Sequence, residues 1–119
     1  MSKRVFVFGS NLAGRHGKGA ALHALQNHGA MYGQGEGLQG NSYAIPTKDR
    51  YLRTLPLNHI DDNIQLFIAF ALVSPQLEFD VTPIGCGLAG YKQEQIYPLF
   101  KKHGVPNNVY FTKDWTVIE

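Results

Sequence analysis

Two stretches of the chain repeat one pattern: a short apolar run, a glycine-rich turn, and then a run of helix formers. In the first, Val5–Phe8 leads through Gly9-Ser10-Asn11 into Gly14-Arg15-His16-Gly17-Lys18-Gly19, followed by Ala20–His28. In the second, Phe79–Ile84 leads into Gly85-Cys86-Gly87-Leu88-Ala89-Gly90-Tyr91, followed by a stretch that reads as a helix over about 92–103. Glycine lets backbone N–H groups come close to an anion, and a helix N-terminus adds favourable partial charge. Two such turns side by side could grip a pyrophosphate between them. The plainer alternative is that both are tight strand-to-helix turns.

Other chemistries find less support. Gly17-Lys18 lacks the upstream glycine and the following Ser or Thr of a P-loop. Gly35-x-Gly37-x-x-Gly40 spells a dinucleotide fingerprint but precedes a strand where the motif should follow one. His16, His23, His28, His59 and His103 have no zinc spacing, so no metal is expected, and no cofactor either. Cys86 reads as a small packed residue more readily than as a nucleophile, because no histidine neighbours it. Lys48 follows Pro46-Thr47 at the end of a strand, where it is either a solvated charge or a group at the ligand end of the sheet.

These residues need a sheet to hold them. Val5–Phe8, Ser42–Ile45 (stopped by Pro46), Phe79–Ile84 and Asn108–Thr112 read as strands, with Trp115–Ile118 as a short edge. Helices are predicted over 20–28, ended by Gly29, over 60–74, with Asn58 or Asp61 near its cap and Pro75 beyond, and over 92–103, ended by Gly104. Residues 29–41 hold five glycines and read as a mobile surface loop, and 47–59 as a polar connection. Alternating strands and helices predict an α/β fold with a mostly parallel sheet, whose ligand end lies at the carboxyl ends of its strands.

With 119 residues the chain has the length of one domain, 1–119. Its 11 basic and 9 acidic residues are scattered, unlike the clustered footprint of a nucleic-acid module. A lone cysteine excludes a disulfide framework and points to a reducing, cytoplasmic setting. The N-terminal apolar run is too short for a signal peptide, and nothing approaches the roughly 18 apolar residues of a membrane span, so no membrane partner is expected.

At its motifs the sequence resembles the macro-domain superfamily. Val7-Phe8-Gly9-Ser10-Asn11 through Gly17-Lys18-Gly19-Ala20-Ala21 resembles the macro-domain first strand and glycine-rich helix start. Tyr43-Ala44-Ile45-Pro46-Thr47-Lys48 is similar to a strand ending in Thr-Lys, and Thr82-Pro83-Ile84-Gly85-Cys86-Gly87-Leu88 to a Pro-x-Ile-Gly-Cys-Gly-Leu strand and loop. Both are typical of the terminal ADP-ribose protein glycohydrolases and the antitoxins that remove ADP-ribose from DNA. The matches run in order across about 5–112.

The resemblance implies a three-layer α/β/α fold, shortened at its N-terminus, and an ADP-ribose-like nucleotide ligand, free or attached to protein or DNA. It places Asn11 and Tyr91 at the distal ribose and the turns 14–19 (with Ala20) and 85–90 at the phosphates. It gives Lys48 the part of the lysine that attacks the ribose anomeric carbon; in a hydrolase reading, Glu94 or Asp49 would be candidate partner acids. The chain departs from the branch at Ala89, where an aspartate is usual, and in lacking the N-terminal strands that carry an adenine-reading aspartate. Three readings stay open: an ADP-ribosyl glycohydrolase, a non-catalytic reader or sequestering protein, and a nucleic-acid or protein interaction module.

Overall fold

A computed structural model describes residues 4–118. Eight elements follow one another: β1 (Val5–Asn11), α1 (Gly19–Asn27), β2 (Gly37–Gln39), β3 (Ser42–Lys48), α2 (Leu57–Leu72), β4 (Phe79–Val81), α3 (Gln93–Lys102) and β5 (Val109–Phe111). The strands form one sheet in the order β2-β3-β1-β4-β5. β1 lies at its centre, parallel to β3 through Val7↔Tyr43 and to β4 through Val7↔Val81. β4 and β5 are also parallel, and only the edge strand β2 runs antiparallel.

Side-chain alternation along the strands divides the core in two. Val5, Val7, Tyr43, Ile45, Phe79 and Val81 face α2 and α3, packing with Ile60, Ile64, Phe67, Ile96 and Phe100. Phe8 and Ala44 face the other way, onto Ala21 and Ala24 of α1. The result is the expected three-layer α/β/α arrangement. Helices α1 and α3 fall within a residue of their predicted bounds, with Gly29 and Gly104 in the left-handed region just past them.

Several local expectations change. Pro46 does not stop its strand: β3 runs on to Lys48, because Pro46 lies beyond the end of β2, where one flank has no ladder to lose. The ladder with β1 shifts there, from Ser10↔Pro46 to Asn11↔Lys48. β4 stops at Val81, and 82–84 turn away into the glycine-rich loop. Helix α2 starts at Leu57 after Pro56, with no side-chain cap, and residues 115–118 form no strand.

Residues 29–41 lie on the surface, as expected, but are tied to the fold at several points. They contain β2 and the buried Gln39, whose amide accepts from Met31 N–H (2.8 Å) and donates to Gln34 O (3.0 Å). Backbones touch here without side chains between them. A Cβ on Gly40, itself at φ +59°, would lie 2.5 Å from Gly29 O, and one on Gly14 would lie 2.3 Å from the carbonyl carbon of Gly33.

Candidate functional site

The carboxyl ends of β3, β1 and β4 open into a cleft of about 970 Å³ on the α1 side of the sheet. That is near the upper end of the ~300–1,000 Å³ typical of small-molecule sites. Its lining brings together, among the sequence-predicted residues, Asn11, Gly17, Lys18, Gly19, Ala20 and Lys48 with Gly85, Gly87, Leu88 and Ala89.

On one wall, β1 turns into α1. Asn11 shapes this turn: its side-chain carbonyl accepts from Arg15 N–H (2.9 Å) and its amide donates to Arg15 O (3.0 Å). The first hydrogen bond of the following helix is Leu22 N–H to Lys18 O. Among the described residues, the N–H groups of Gly17, Lys18, Gly19 and Ala20 donate to no carbonyl, no side chain caps them, and no acid sits in the first helical turn. An anion in the cleft would meet these donors and the positive end of the helix dipole together.

On the facing wall, the 85–90 loop is held at its ends. Cys86 N–H donates to Pro83 O, Gly90 N–H to Gly87 O and Tyr91 N–H to Gly85 O. Between these, Gly87, Leu88 and Ala89 N–H donate to no carbonyl among the described residues. The loop sits close to β1, since a Cβ on Gly9 would come 3.3 Å from Gly85 N.

Gly17 and Gly87 stand apart from the other glycines. Neither has φ in the left-handed region, and, apart from its chain neighbours, a Cβ on either would meet no atom of the described residues within 4 Å. Neither backbone conformation nor internal packing demands glycine at these two cleft-lining positions.

Lys48 reaches the cleft from the last position of β3, and among the described residues no acid pairs with it. It bridges to Thr54 across a short hairpin, and Thr54 Oγ1 donates to Ala89 O at 2.9 Å. Thr54 thus links the strand end that carries Lys48 to position 89 of the second loop, which carries a methyl group. Asp49 is turned into its own hairpin: hydrogen bonds from Arg53 N–H and Tyr51 N–H, with the Arg53 side chain, hold its carboxyl below the usual carboxylate range against the cost of desolvation. Glu94 lies exposed on the first turn of α3 and is not part of the cleft lining.

Five other sequence-predicted residues support the walls instead of lining them. Gly14 makes the close backbone contact with Gly33 described above. His16 is fully buried behind the first turn, with Nε2 2.9 Å from Gln34 O and its ring edge-on to Phe8. Tyr91 OH donates to Leu55 O (2.7 Å), tying the second loop to the hairpin. Gly90 lies at the foot of that loop. The Cys86 thiol donates to Ile84 O (3.3 Å), and burial, with the negative Glu94 nearby, pushes it up to about 11, which fits a packed thiol and not a nucleophile.

The cleft also contains Arg15 of the 14–19 turn and His23, and residues that the sequence pattern did not single out: Phe6, Tyr32, Leu52 and Asp114. Leu52 is the one non-glycine among the described residues with φ in the left-handed region (+65°), at the tip of the hairpin that carries Lys48. That strained leucine carries no sequence signal. Asp114 comes from the tail beyond β5 and could be found only through the fold.

No protein-family model matches the chain, and no curated protein is significantly similar to it. Solved structures are similar in fold. The macrodomain of Mycobacterium tuberculosis DarG matches with TM-score 0.64 and 20% identity, over 91% of this chain and 87% of that one. Thermosipho africanus DarTG, in complex with ADP-ribose, matches with TM-score 0.64 and 15% identity over 97% of this chain, which corresponds to 40% of its own length. A Bacteroides thetaiotaomicron protein of unknown function matches with TM-score 0.62 and 17% identity, over 94% of this chain and 90% of that one.

Proposed function

Starting from a macro-domain-like fold, we propose that the chain binds ADP-ribose or a closely related nucleotide, with its diphosphate held between the 17–20 and 87–89 backbone segments. One observation carries this reading. Gly17 and Gly87 face a common cleft beside unpaired N–H groups, and nothing inside the protein requires either to be glycine. A ligand that presses against the backbone at both places supplies the missing reason. Arg15 and Lys18 add positive charge to the same walls. The ADP-ribose bound to the similar Thermosipho africanus protein makes that nucleotide the first ligand to test. Calorimetric titration with ADP-ribose tests the reading, and absence of binding would refute it.

A second reading is favoured by Lys48 alone. A lysine lining the cleft without an acid partner could attack the anomeric carbon of an attached ADP-ribose through its amine, breaking the bond from that carbon to the protein or DNA acceptor, which leaves with a proton, and water would then hydrolyse the resulting Schiff base of the opened sugar and restore the lysine. Such chemistry also needs a group to move protons at the sugar. Position 89, linked to the lysine's strand end through Thr54, is alanine, Asp49 is engaged in its own turn, and Glu94 lies outside the cleft lining. Binding without turnover is therefore the reading the geometry supports best. On that basis the chain is a reader or sequestering protein for an ADP-ribose-type nucleotide, free or attached to protein or DNA.

A further inference from the structure

Gly17 and Gly87 are glycines where the protein's own packing requires none. Leu52 is the converse, a leucine where the backbone favours glycine. The hairpin after β3 closes with Asp49 N–H donating to Arg53 O (2.8 Å) and Leu52 N–H donating to Asp49 O (3.1 Å). Leu52 then takes φ +65° before the chain returns. This is the three-residue hairpin loop in which a tight turn is followed by one left-handed residue, a place that glycine normally fills. A branched side chain there strains the backbone, as glycine would not.

The turn itself gives no reason for the leucine. The Asp49 carboxylate already fixes the loop, accepting from Tyr51 N–H (2.8 Å) and Arg53 N–H (3.0 Å) and pairing with the Arg53 side chain (3.3 Å). The Lys48–Thr54 bridge and Leu55 N–H donating to Thr47 O fix its base. Leu52 joins neither core cluster and is 43% exposed. Its side chain lines the cleft.

The position is also braced. Thr54 Oγ1 donates to Ala89 O and Tyr91 OH to Leu55 O, so the hairpin is tied to the second glycine-rich loop at two points. That loop brings a second exposed leucine, Leu88, to the lining of the same cleft. A strained residue persists where the structure around it leaves no room to relax, and such residues gather at ligand sites.

We infer that Leu52 is an affinity-determining contact of the cleft, held in its left-handed conformation so that its side chain closes on an uncharged, carbon-rich face of the bound nucleotide. Apolar surface that the fold leaves in water is stabilised when a sugar or base face covers it. A phosphate group would give it nothing. The inference rests on the nucleotide reading above and deepens it: at this residue the sequence favours binding over the stability of the turn.

The test pairs thermal unfolding with calorimetric titration of ADP-ribose into the full chain, Leu52→Gly and Leu52→Met. Leu52→Gly relieves the strain and removes the contact. It should unfold no lower than wild type, yet bind ADP-ribose about 3–15-fold more weakly. Leu52→Met keeps an apolar side chain of similar volume and should bind within about threefold of wild type. Titration with ADP then locates the contact. An equal loss for ADP in Leu52→Gly puts the adenosine against Leu52, and a loss confined to ADP-ribose puts the terminal ribose there. A lower unfolding temperature for Leu52→Gly means that the leucine serves the fold, and overturns the inference. Wild-type affinity in Leu52→Gly, or a loss in Leu52→Met as large as in the glycine variant, overturns it too. Each of these results leaves the diphosphate reading standing, whereas no binding of ADP-ribose by wild type overturns both.

Discussion

The Nε2 atom of His16 lies 2.9 Å from the carbonyl oxygen of Gln34, a contact that joins the first glycine-rich turn to the middle of the 29–41 segment. With a carbonyl at that distance and Gln39 Oε1 at 3.3 Å, Nε2 carries the proton. His16 then acts as a buried strut that sets the shape of the cleft wall from behind. Replacing it with alanine should cost about 2–4 kcal/mol of stability, from the lost hydrogen bond and the cavity left under Phe8. Urea unfolding measures this. A variant of unchanged stability with weakened ADP-ribose affinity would instead put His16 in contact with the ligand.

Cys86 should behave as a protected thiol. With burial pushing it up to about 11, its thiolate is scarce at mild pH. Alkylation by iodoacetamide at about pH 8 should run roughly a hundredfold slower than for a free cysteine, whose usual value is ~8.5. A rate close to that of the free amino acid would show an activated sulfur and reopen a nucleophilic role.

Acid should loosen the contact between α2 and α3. Asp61 on α2 pairs with Lys102 Nζ and His103 Nε2, each at 2.6 Å. Burial works against its charge, but the hydrogen bonds and opposite charges of these two partners outweigh it and leave the carboxyl below the ordinary range. A carboxyl lowered by folding stabilises fully above its unfolded value of ~3.9 and loses that contribution as pH falls through its folded value. Asp61→Asn should therefore cost about 1 kcal/mol at neutral pH and show a shallower loss of stability below about pH 4. Denaturation midpoints across that range check it, and parallel pH profiles for variant and wild type would show that the pair contributes nothing.

The layered architecture was legible because apolar periodicity reports it directly. Val5–Phe8 and Ile60–Leu72 declare their buried faces whatever surrounds them. What the sequence hid depends on contacts between distant segments. Pro46 looks like a stop until β2 is seen to end before it, and Gln39 looks like a loop residue until Met31 and Gln34 close around its amide. In the site, the two glycine-rich turns and Lys48 could be read from the sequence, whereas Asp114 enters the cleft only because Trp115 folds the tail under Val81. The sequence also could not separate glycines that serve the ligand from those that serve the fold. Gly14 and Gly17 belong to one motif, yet only Gly14 is pressed against protein backbone.

The enzyme reading has its own test. Wild type should bind ADP-ribose yet release none from ADP-ribosylated protein or DNA, and borohydride should trap no adduct. Ala89→Asp, which puts a carboxylate beside the Lys48–Thr54 pair, is the informative gain-of-function variant. Turnover by wild type that disappears in Lys48→Ala, with affinity kept within about tenfold or roughly 1.4 kcal/mol, would establish a hydrolase.

The two-walled grip on a diphosphate is tested most directly by one titration series: ADP-ribose into wild type, Gly17→Val and Gly87→Val, each checked by circular dichroism. A side chain at either position meets open space inside the protein, so both variants should fold as wild type does. The same side chain would occupy the place where phosphate must approach the backbone, so both should lose at least about a hundredfold in affinity, or roughly 2.7 kcal/mol. Folded variants that bind ADP-ribose as tightly as wild type would contradict the account.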